Sequence, residues 1–401
     1  MSHRTLAIHG GPRTRTEPMP PRFAFGPDER RLLNECLDYY GAQGADPGYQ
    51  GVFEKHYTDA FVKFMGGGHA DAVATGTSAL YVALAALELP AGSEVLVSPI
   101  TDPGTLSAIV LNGLKPRLID SKPDSYNVGI EEFEARIGPN VSAVVVVHAA
   151  GQAVDVDKLV PTAHARGIKV LEDCSQAHGA RLKGRPVGTF GNIAAFSTMY
   201  RKAHMSGSSG GLVYSRDLDL FRKALAHADR GKPRWREDFD DRNPTTFLFP
   251  ALNHHTDELS CAIGIASLGR LTDTIVRRQS FVSDFASALI EESEVCTPYD
   301  WRPTDSPFFL PVMVDQALIA CSKREFATAV RAEGIDLNPH YEYVVAEWGY
   351  IRPYLGDDFG TPNAVSVRDR SFNLYLNERY GEREALDAVT AIRKVERHFR
   401  N

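Results

Sequence analysis

Short apolar runs alternate with helix-forming stretches from about Phe53 to Ser197, and no other feature of the chain restricts its fold as strongly. Residues 95–97, 117–120, 143–148, 168–171 and 193–197 read as strands, and 72–74 is a shorter apolar run ahead of them. Between these lies 78–87, rich in Ala and Leu and therefore helical, and 104–111, 131–137 and 157–166 are further helices. Pro161 fits the last of these only near its first turn. Strands separated by helices are joined by crossovers, not tight hairpins. The expectation is an α/β fold with a mainly parallel central sheet covered by helices on both faces.

The pattern changes after about Leu252. One long helix is predicted over 256–271, continuing towards 287, followed by a strand at 308–314, a helix at 322–334 and a last helix at 382–399. That order fits a smaller C-terminal α+β domain. Residues 1–27 are polar, with several prolines and Gly10-Gly11, and read as an irregular arm, with a helix at 28–40 after them. The predicted division is an arm at 1–27, a large domain at 28–265 and a small domain at 266–401.

A chain of 401 residues has room for two domains. Its net charge of −7 argues against nucleic-acid backbone binding, which needs clustered Lys and Arg. The five cysteines (Cys36, Cys174, Cys261, Cys296 and Cys321) are scattered and odd in number, as expected of reduced thiols and not of a disulfide framework or a zinc site. No apolar leader and no run of ~20 apolar residues is seen, so a cytoplasmic protein with no membrane partner is expected.

Three segments carry chemistry. Thr75-Gly76-Thr77-Ser78 lies between an apolar run and a helix, where free N–H groups and the helix dipole make an anion site, although an ordinary N-cap has the same look. Glu172-Asp173-Cys174-Ser175-Gln176-Ala177-His178 follows a buried strand, so an acid there points into the crevice at the sheet's carboxyl edge. Such a carboxylate can pair with a protonated pyridine nitrogen; an N-cap Asp is the plainer alternative, and His178 reads as structural. In Phe196-Ser197-Thr198-Met199-Tyr200-Arg201-Lys202, the lysine lies just past a strand end, before a Gly-rich turn at 206–211. Its reactive form is the neutral amine, which needs desolvation or a nearby cation such as Arg201. A solvated surface patch is the alternative. No GxGxxG follows the first strand, so a hydride-transfer enzyme lacks support.

Further segments are LAIHGGP, ATGTSALYVAL, EVLVSPIT, VVVVHAAGQAVDVDKL, KVLEDCSQAHGA, KGRPVGTFGNIAAFS, LNHHTDELSCAIGIASL, and the GI…NPHY stretch at 334–341. With these in order over nearly its whole length, the chain resembles the sugar aminotransferases of the DegT/StrS type. These are enzymes of fold type I that use pyridoxal 5′-phosphate (PLP). The resemblance implies that the large domain binds PLP and that Lys202 holds it as a Schiff base and moves the proton. It implies Asp173 at the ring nitrogen, Gln176 near the phenolic oxygen, and Gly76, Thr77 and Ser197 at the phosphate, with Ser78 beside them. Asn253 would reach the phosphate of a partner subunit, which implies a homodimer with shared active sites, and His340 and Tyr341 would stand at the substrate mouth. The implied reaction moves an amino group from glutamate or glutamine to a keto-sugar, often nucleotide-linked in relatives, or to a keto-cyclitol, by ping-pong chemistry. Three positions depart from the family: Asp102 replaces a ring-stacking aromatic residue, Gly207-Ser208-Ser209-Gly210-Gly211 replaces GEGG, and His255 replaces an Arg. His204 is also unusual. These departures keep a PLP-dependent sugar dehydratase or epimerase, and a non-catalytic PLP-retaining protein, as alternatives. The charged loop at 231–243, with Lys232, Arg234, Trp235 and Arg236, reads either as a phosphate contact or as a solvated loop.

Overall fold

A computed structural model describes residues 5–400. After an arm with one 3-10 turn at Ala7–His9, α1 (Pro27–Gln43) and α2 (Val52–Met65) lead into β1 (His69–Val73). The alternation follows as α3 (Gly76–Ala86), β2 (Glu94–Val97), α4 (Pro103–Leu111), β3 (Lys115–Leu118), α5 (Ile130–Arg136), β4 (Val141–Val147), α6 (Val156–His164) and β5 (Lys169–Asp173). A short ribbon, β6 (Arg181–Leu182) with β7 (Arg185–Pro186), precedes β8 (Ile193–Ser197), β9 (Gly211–Ser215) and α7 (Leu218–Ala228). The rest runs α8 (Glu258–Gly269), α9 (Leu271–Glu292), β10 (Cys296–Pro298), β11 (Phe309–Val314), α10 (Lys323–Ala332), β12 (Leu337–Asn338), α11 (Pro362–Asp369), β13 (Ser371–Tyr375) and α12 (Glu382–Phe399).

The expected α/β architecture is present. Seven strands form one sheet in the order β1-β9-β8-β5-β4-β2-β3. All run the same way except β9, which pairs antiparallel with both of its neighbours. The two faces follow from the period of two along each strand. On β4, Val144 and Val146 enter a core with Tyr57 and Phe61 of α2 and Cys261 of α8. Ala143 and Val145 enter the opposite core with Leu80 of α3, Ile109 of α4 and Ala224 of α7. Burying each such valine contributes about 1.5–2 kcal/mol, which is why a continuous valine run suits a strand covered on both faces.

The second sheet, β10-β11-β13-β12, is antiparallel throughout. Phe281 and Phe285 of α9, Phe326 of α10, and Val389 and Ile392 of α12 pack on it, and the arm adds Leu6 and Met19 to the same core. The arm is also held by the buried Glu333 carboxylate. It accepts from the Ala7 and Thr14 N–H groups at 2.8 and 2.9 Å and pairs with Lys394 at 2.8 Å. No single helix among the described residues is long and apolar enough to cross a membrane.

The structure departs from the sequence expectations at three elements. The predicted helix over 256–287 is two helices, bent by 51°. The break falls at Arg270 (φ −104°, ψ 3°), whose guanidinium is drawn to the Glu29 carboxylate and the Ala24 carbonyl. Pro161 sits in the middle of α6, not in its first turn. β5 runs on to Asp173, so that residue's carbonyl lies in the ladder and accepts from the His148 N–H at 3.1 Å.

Glu54 of α2 and Asp71 of β1 are both buried acids. Burial, and then the neighbouring Asp71 charge, pushes Glu54 above the ordinary carboxylate range; burial, and then Asp229, does the same to Asp71. A raised folded-state pKa means that the folded state binds more protons than the unfolded one, so this stability is present in acid and is lost as pH rises above about 5. Glu54→Gln removes the penalty. The variant is expected to gain ~1–2 kcal/mol over the parent at about pH 9 and to show little difference at about pH 5. Urea unfolding at the two pH values measures this; a variant less stable at the alkaline value contradicts it.

Candidate active site

The site forms where the parallel strands end, on the edge where crevices in open α/β sheets lie. β5 ends in Asp173 and its neighbour β8 in Ser197, with Asp173 opposite Ala195 in register. The turn from β8 to β9 carries Lys202, and the start of α3 lies beside Ser197.

Alternation along β5 separates two adjacent acids. Glu172 points into the core and is used up there: it accepts from the N–H groups of Gly188, Phe190 and Gly191 and contacts His148 Nε2 at 3.1 Å. Burial pushes its pKa up, but the His148 contact and these N–H groups outweigh it and hold it ionised. His148 Nδ1 accepts from the Val154 N–H at 3.0 Å, so its Nε2 carries the proton. Asp173 points the other way. Its Oδ1 accepts from the Ser175 N–H at 3.1 Å and its Oδ2 from Thr105 Oγ1 at 3.2 Å. Burial raises its pKa against the opposing pull of Ser175, Lys202 and Thr105.

Lys202 is 9% exposed. Its Nζ lies 4.6 Å from the centroid of the Phe308 ring and makes no hydrogen bond with a described residue. Burial lowers its pKa, while Asp173 and then Asp102 pull it back up. The expectation that Arg201 lowers it is not met: that guanidinium is turned over the Tyr200 ring, 5.4 Å from its centroid. Three contacts hold the lysine's turn in place. Arg22 of the arm donates to the Tyr200 and Lys202 carbonyls at 2.6 and 2.8 Å. Tyr57 Oη meets His204 Nε2 at 2.6 Å, and Thr198 Oγ1 meets Ser206 Oγ at 2.6 Å. His178 donates to the Ser197 carbonyl at 2.8 Å with its pKa pushed by burial down to about 3, which fits its structural reading.

At the start of α3, Thr75 caps the helix by accepting from the Ser78 N–H at 2.8 Å. The Gly76 and Thr77 N–H groups, at the positive end of the helix, remain for an outside acceptor. A Cβ on Gly76 would come within 2.4 Å of Ser197 Cβ, so only glycine lets these two segments close into a cradle. Thr77 is exposed, and its hydroxyl lies against Gly104 at the start of α4. The Ser78 hydroxyl is already engaged, by Thr75 Oγ1 at 2.9 Å and His254 Nδ1 at 3.1 Å.

Gln176 Oε1 accepts from the Ala150 N–H at 2.8 Å, and its side chain meets the Tyr341 hydroxyl. Tyr341 lies against Tyr126 and Phe309, at centroid distances of 5.9 and 5.0 Å. His340 is not brought to this group; its Nδ1 is 3.2 Å from Lys323 Nζ, on the small-sheet side. Asn253 is exposed and turned outward, accepting from the His255 N–H at 3.0 Å, with its Nδ2 3.4 Å from Tyr49 Oη. In the charged loop, Lys232 and Arg234 are neutralised by Asp229 and Asp241, while Arg236 is exposed. Sequence reasoning missed Thr105, Phe308 and Arg22. Thr105 stands one helical turn after Asp102, which is a usable signal; Phe308 and Arg22 reach the site only through tertiary packing.

PLP requires an anion cradle, a carboxylate near its ring nitrogen and a free amine near its aldehyde. The open N–H groups beside Ser197, the Asp173 carboxylate and the unbonded Lys202 amine meet those requirements. Residues 42–393 match the profile of the DegT/DnrJ/EryC1/StrS aminotransferase family. The spore coat polysaccharide biosynthesis protein SpsC of Bacillus subtilis is 28% identical over 381 residues, covering 92% of this chain and 95% of SpsC. An L-glutamine:2-deoxy-scyllo-inosose aminotransferase of Micromonospora echinospora is 36% identical over 221 residues, 55% of this chain and 52% of that protein. The X-ray structure of an aminotransferase from Psychrobacter cryohalolentis matches with a TM-score of 0.85 at 26% identity, over 94% of this chain and 98% of its own. With this fold, this donor set and a match over most of its length, the chain belongs to the DegT/DnrJ/EryC1/StrS aminotransferase family, whose cofactor is pyridoxal 5′-phosphate.

Proposed function

We propose that the chain transfers an amino group from glutamine or glutamate to a keto-sugar or keto-cyclitol, acting as a cytoplasmic homodimer. The observation that carries this reading is the buried, unbonded Lys202 amine within Coulombic reach of the buried Asp173 carboxylate. Bound PLP would supply an electrophilic carbon and an electron sink.

The residues divide the remaining work. Desolvation favours neutral Lys202, so Nζ can accept the donor's α-proton and return it to the adjacent carbon. Asp173, fixed by Ser175 and Thr105, would pair with the ring nitrogen and favour its protonated state. Gly76, Thr77 and Ser197 hold the phosphate, with Ser78 contributing through its position and not through a free hydroxyl. Gln176, oriented by the Ala150 N–H, and Tyr341 close the side towards the phenolic oxygen and the substrate. His340 stands outside this group, because Lys323 occupies its Nδ1. The outward placement of Asn253 supports a role in the site of a second copy. A cofactor storing the amine between two substrates would give ping-pong kinetics.

Two outcomes check this reading. Lys202→Met is expected to abolish the visible absorption of the bound cofactor and to lower turnover by ~10³-fold or more. It also removes a buried amine that has no hydrogen-bond partner among the described residues, so the apo variant is expected to unfold at higher temperature, by ~1–2 kcal/mol of stability. Retained turnover contradicts the role of Lys202. Asn253→Ala is expected to weaken PLP retention about tenfold in equilibrium dialysis while sedimentation still shows a dimer, a loss of ~1.4 kcal/mol. A native chain that sediments as a monomer contradicts the shared site.

A further inference from the structure

Asp102 caps α4 at the rim of this pocket. Its turn is fastened from two directions: Ile100 bridges Val344, and the Val345 N–H donates to the Pro99 carbonyl at 2.9 Å. One helical turn on, Thr105 binds Asp173. A Cβ on Gly104 would lie 2.4 Å from Thr77 Oγ1 and 3.2 Å from Asp102 Oδ1, so glycine there lets both oxygens approach. The Asp102 carboxylate therefore stands between the start of α3 and Asp173. Its Oδ1 accepts from the Gly104 N–H at 2.9 Å. The residue is exposed and forms no ion pair among the described residues. Lys202, Tyr341 and Tyr350 lie within reach of its charge.

A row of aromatic rings lies on the 341–350 segment, which those two contacts join to the Asp102 turn. Tyr341 and Tyr343 stack at 5.1 Å, Tyr343 meets Trp348 at 6.1 Å, and Trp348 stacks on Tyr350 at 6.0 Å. Such a row offers flat apolar faces to the C–H groups of a saturated ring, and the tyrosines add hydroxyls. A carboxylate beside it accepts hydrogen bonds from hydroxyl or ammonium groups, and its charge disfavours a further phosphate beyond the one that the α3 N–H groups would hold.

We propose that Asp102 is a specificity residue for the amino acceptor, selecting a small ring that carries no phosphate and presents hydroxyl or ammonium donors over a nucleotide-linked keto-sugar. This assignment rests on the aminotransferase reading and deepens it. The holoenzyme is first mixed with glutamine or glutamate; a change in the cofactor spectrum tests that underlying reading alone. Scyllo-inosose and dTDP-4-keto-6-deoxyglucose are then compared as acceptors. The expected result is a kcat/KM at least about tenfold higher for the inosose. Asp102→Asn keeps an N-capping side chain and removes the charge. It is expected to raise KM for the inosose by about tenfold or more with a smaller change in kcat, and to narrow the gap to the nucleotide sugar. Calorimetric titration of both proteins with scyllo-inosamine reads the same preference without turnover, with weaker binding expected in the variant. A native preference for the nucleotide sugar, or unchanged KM and binding in Asp102→Asn, overturns the assignment. If neither donor alters the spectrum, the aminotransferase reading fails, and calorimetry still decides the place of Asp102.

Discussion

The structure depends on holding one amine out of water beside one carboxylate. Charged groups are costly to bury alone, and the cost is offset only by partners fixed in place. Asp173 has such partners in Ser175 and Thr105; Lys202 Nζ has only an aromatic face and the field of the acid. An amine in that condition is kept because something outside the chain is meant to meet it. The rest of the molecule supplies rigidity. Arg22 ties the arm to the lysine's turn, Phe308 adds a floor from just before β11, and Tyr57 reaches His204 from beneath. Three distant parts of the chain thus position a single side chain.

The parallel sheet turns a local sequence pattern into two different fates for neighbouring acids. Glu172 and Asp173 differ by one position, and the alternation of side chains sends one into the core and the other into the crevice. Glu172 then carries structure by collecting three backbone N–H groups, while Asp173 keeps acceptor capacity for a ligand. Charge is handled in a similar way outside the sheet: the buried cation at 232 and the half-buried one at 234 are satisfied internally, whereas the anion at 102 is exposed.

The parts of the fold and site readable from sequence were those fixed by local periodicity and strand ends. The strand at 193–197 and the helix at 382–399 fall where the sequence places them, and Gly76, Asp173 and Lys202 converge because each lies at or just beyond the end of a strand of one sheet. Features decided by a distant partner were not readable. The break at Arg270 depends on Glu29, the turning away of His340 on Lys323, and the engagement of the Ser78 hydroxyl on His254. Arg201 was assigned to the lysine by adjacency, yet consecutive residues in a turn point in different directions, and its guanidinium lies on Tyr200.

The most direct measurement is to reduce the holoenzyme with borohydride, digest it and find by mass spectrometry which lysine carries the cofactor. The account predicts a single phosphopyridoxyl group, on Lys202. Labelling of a different lysine, or of none, would contradict it.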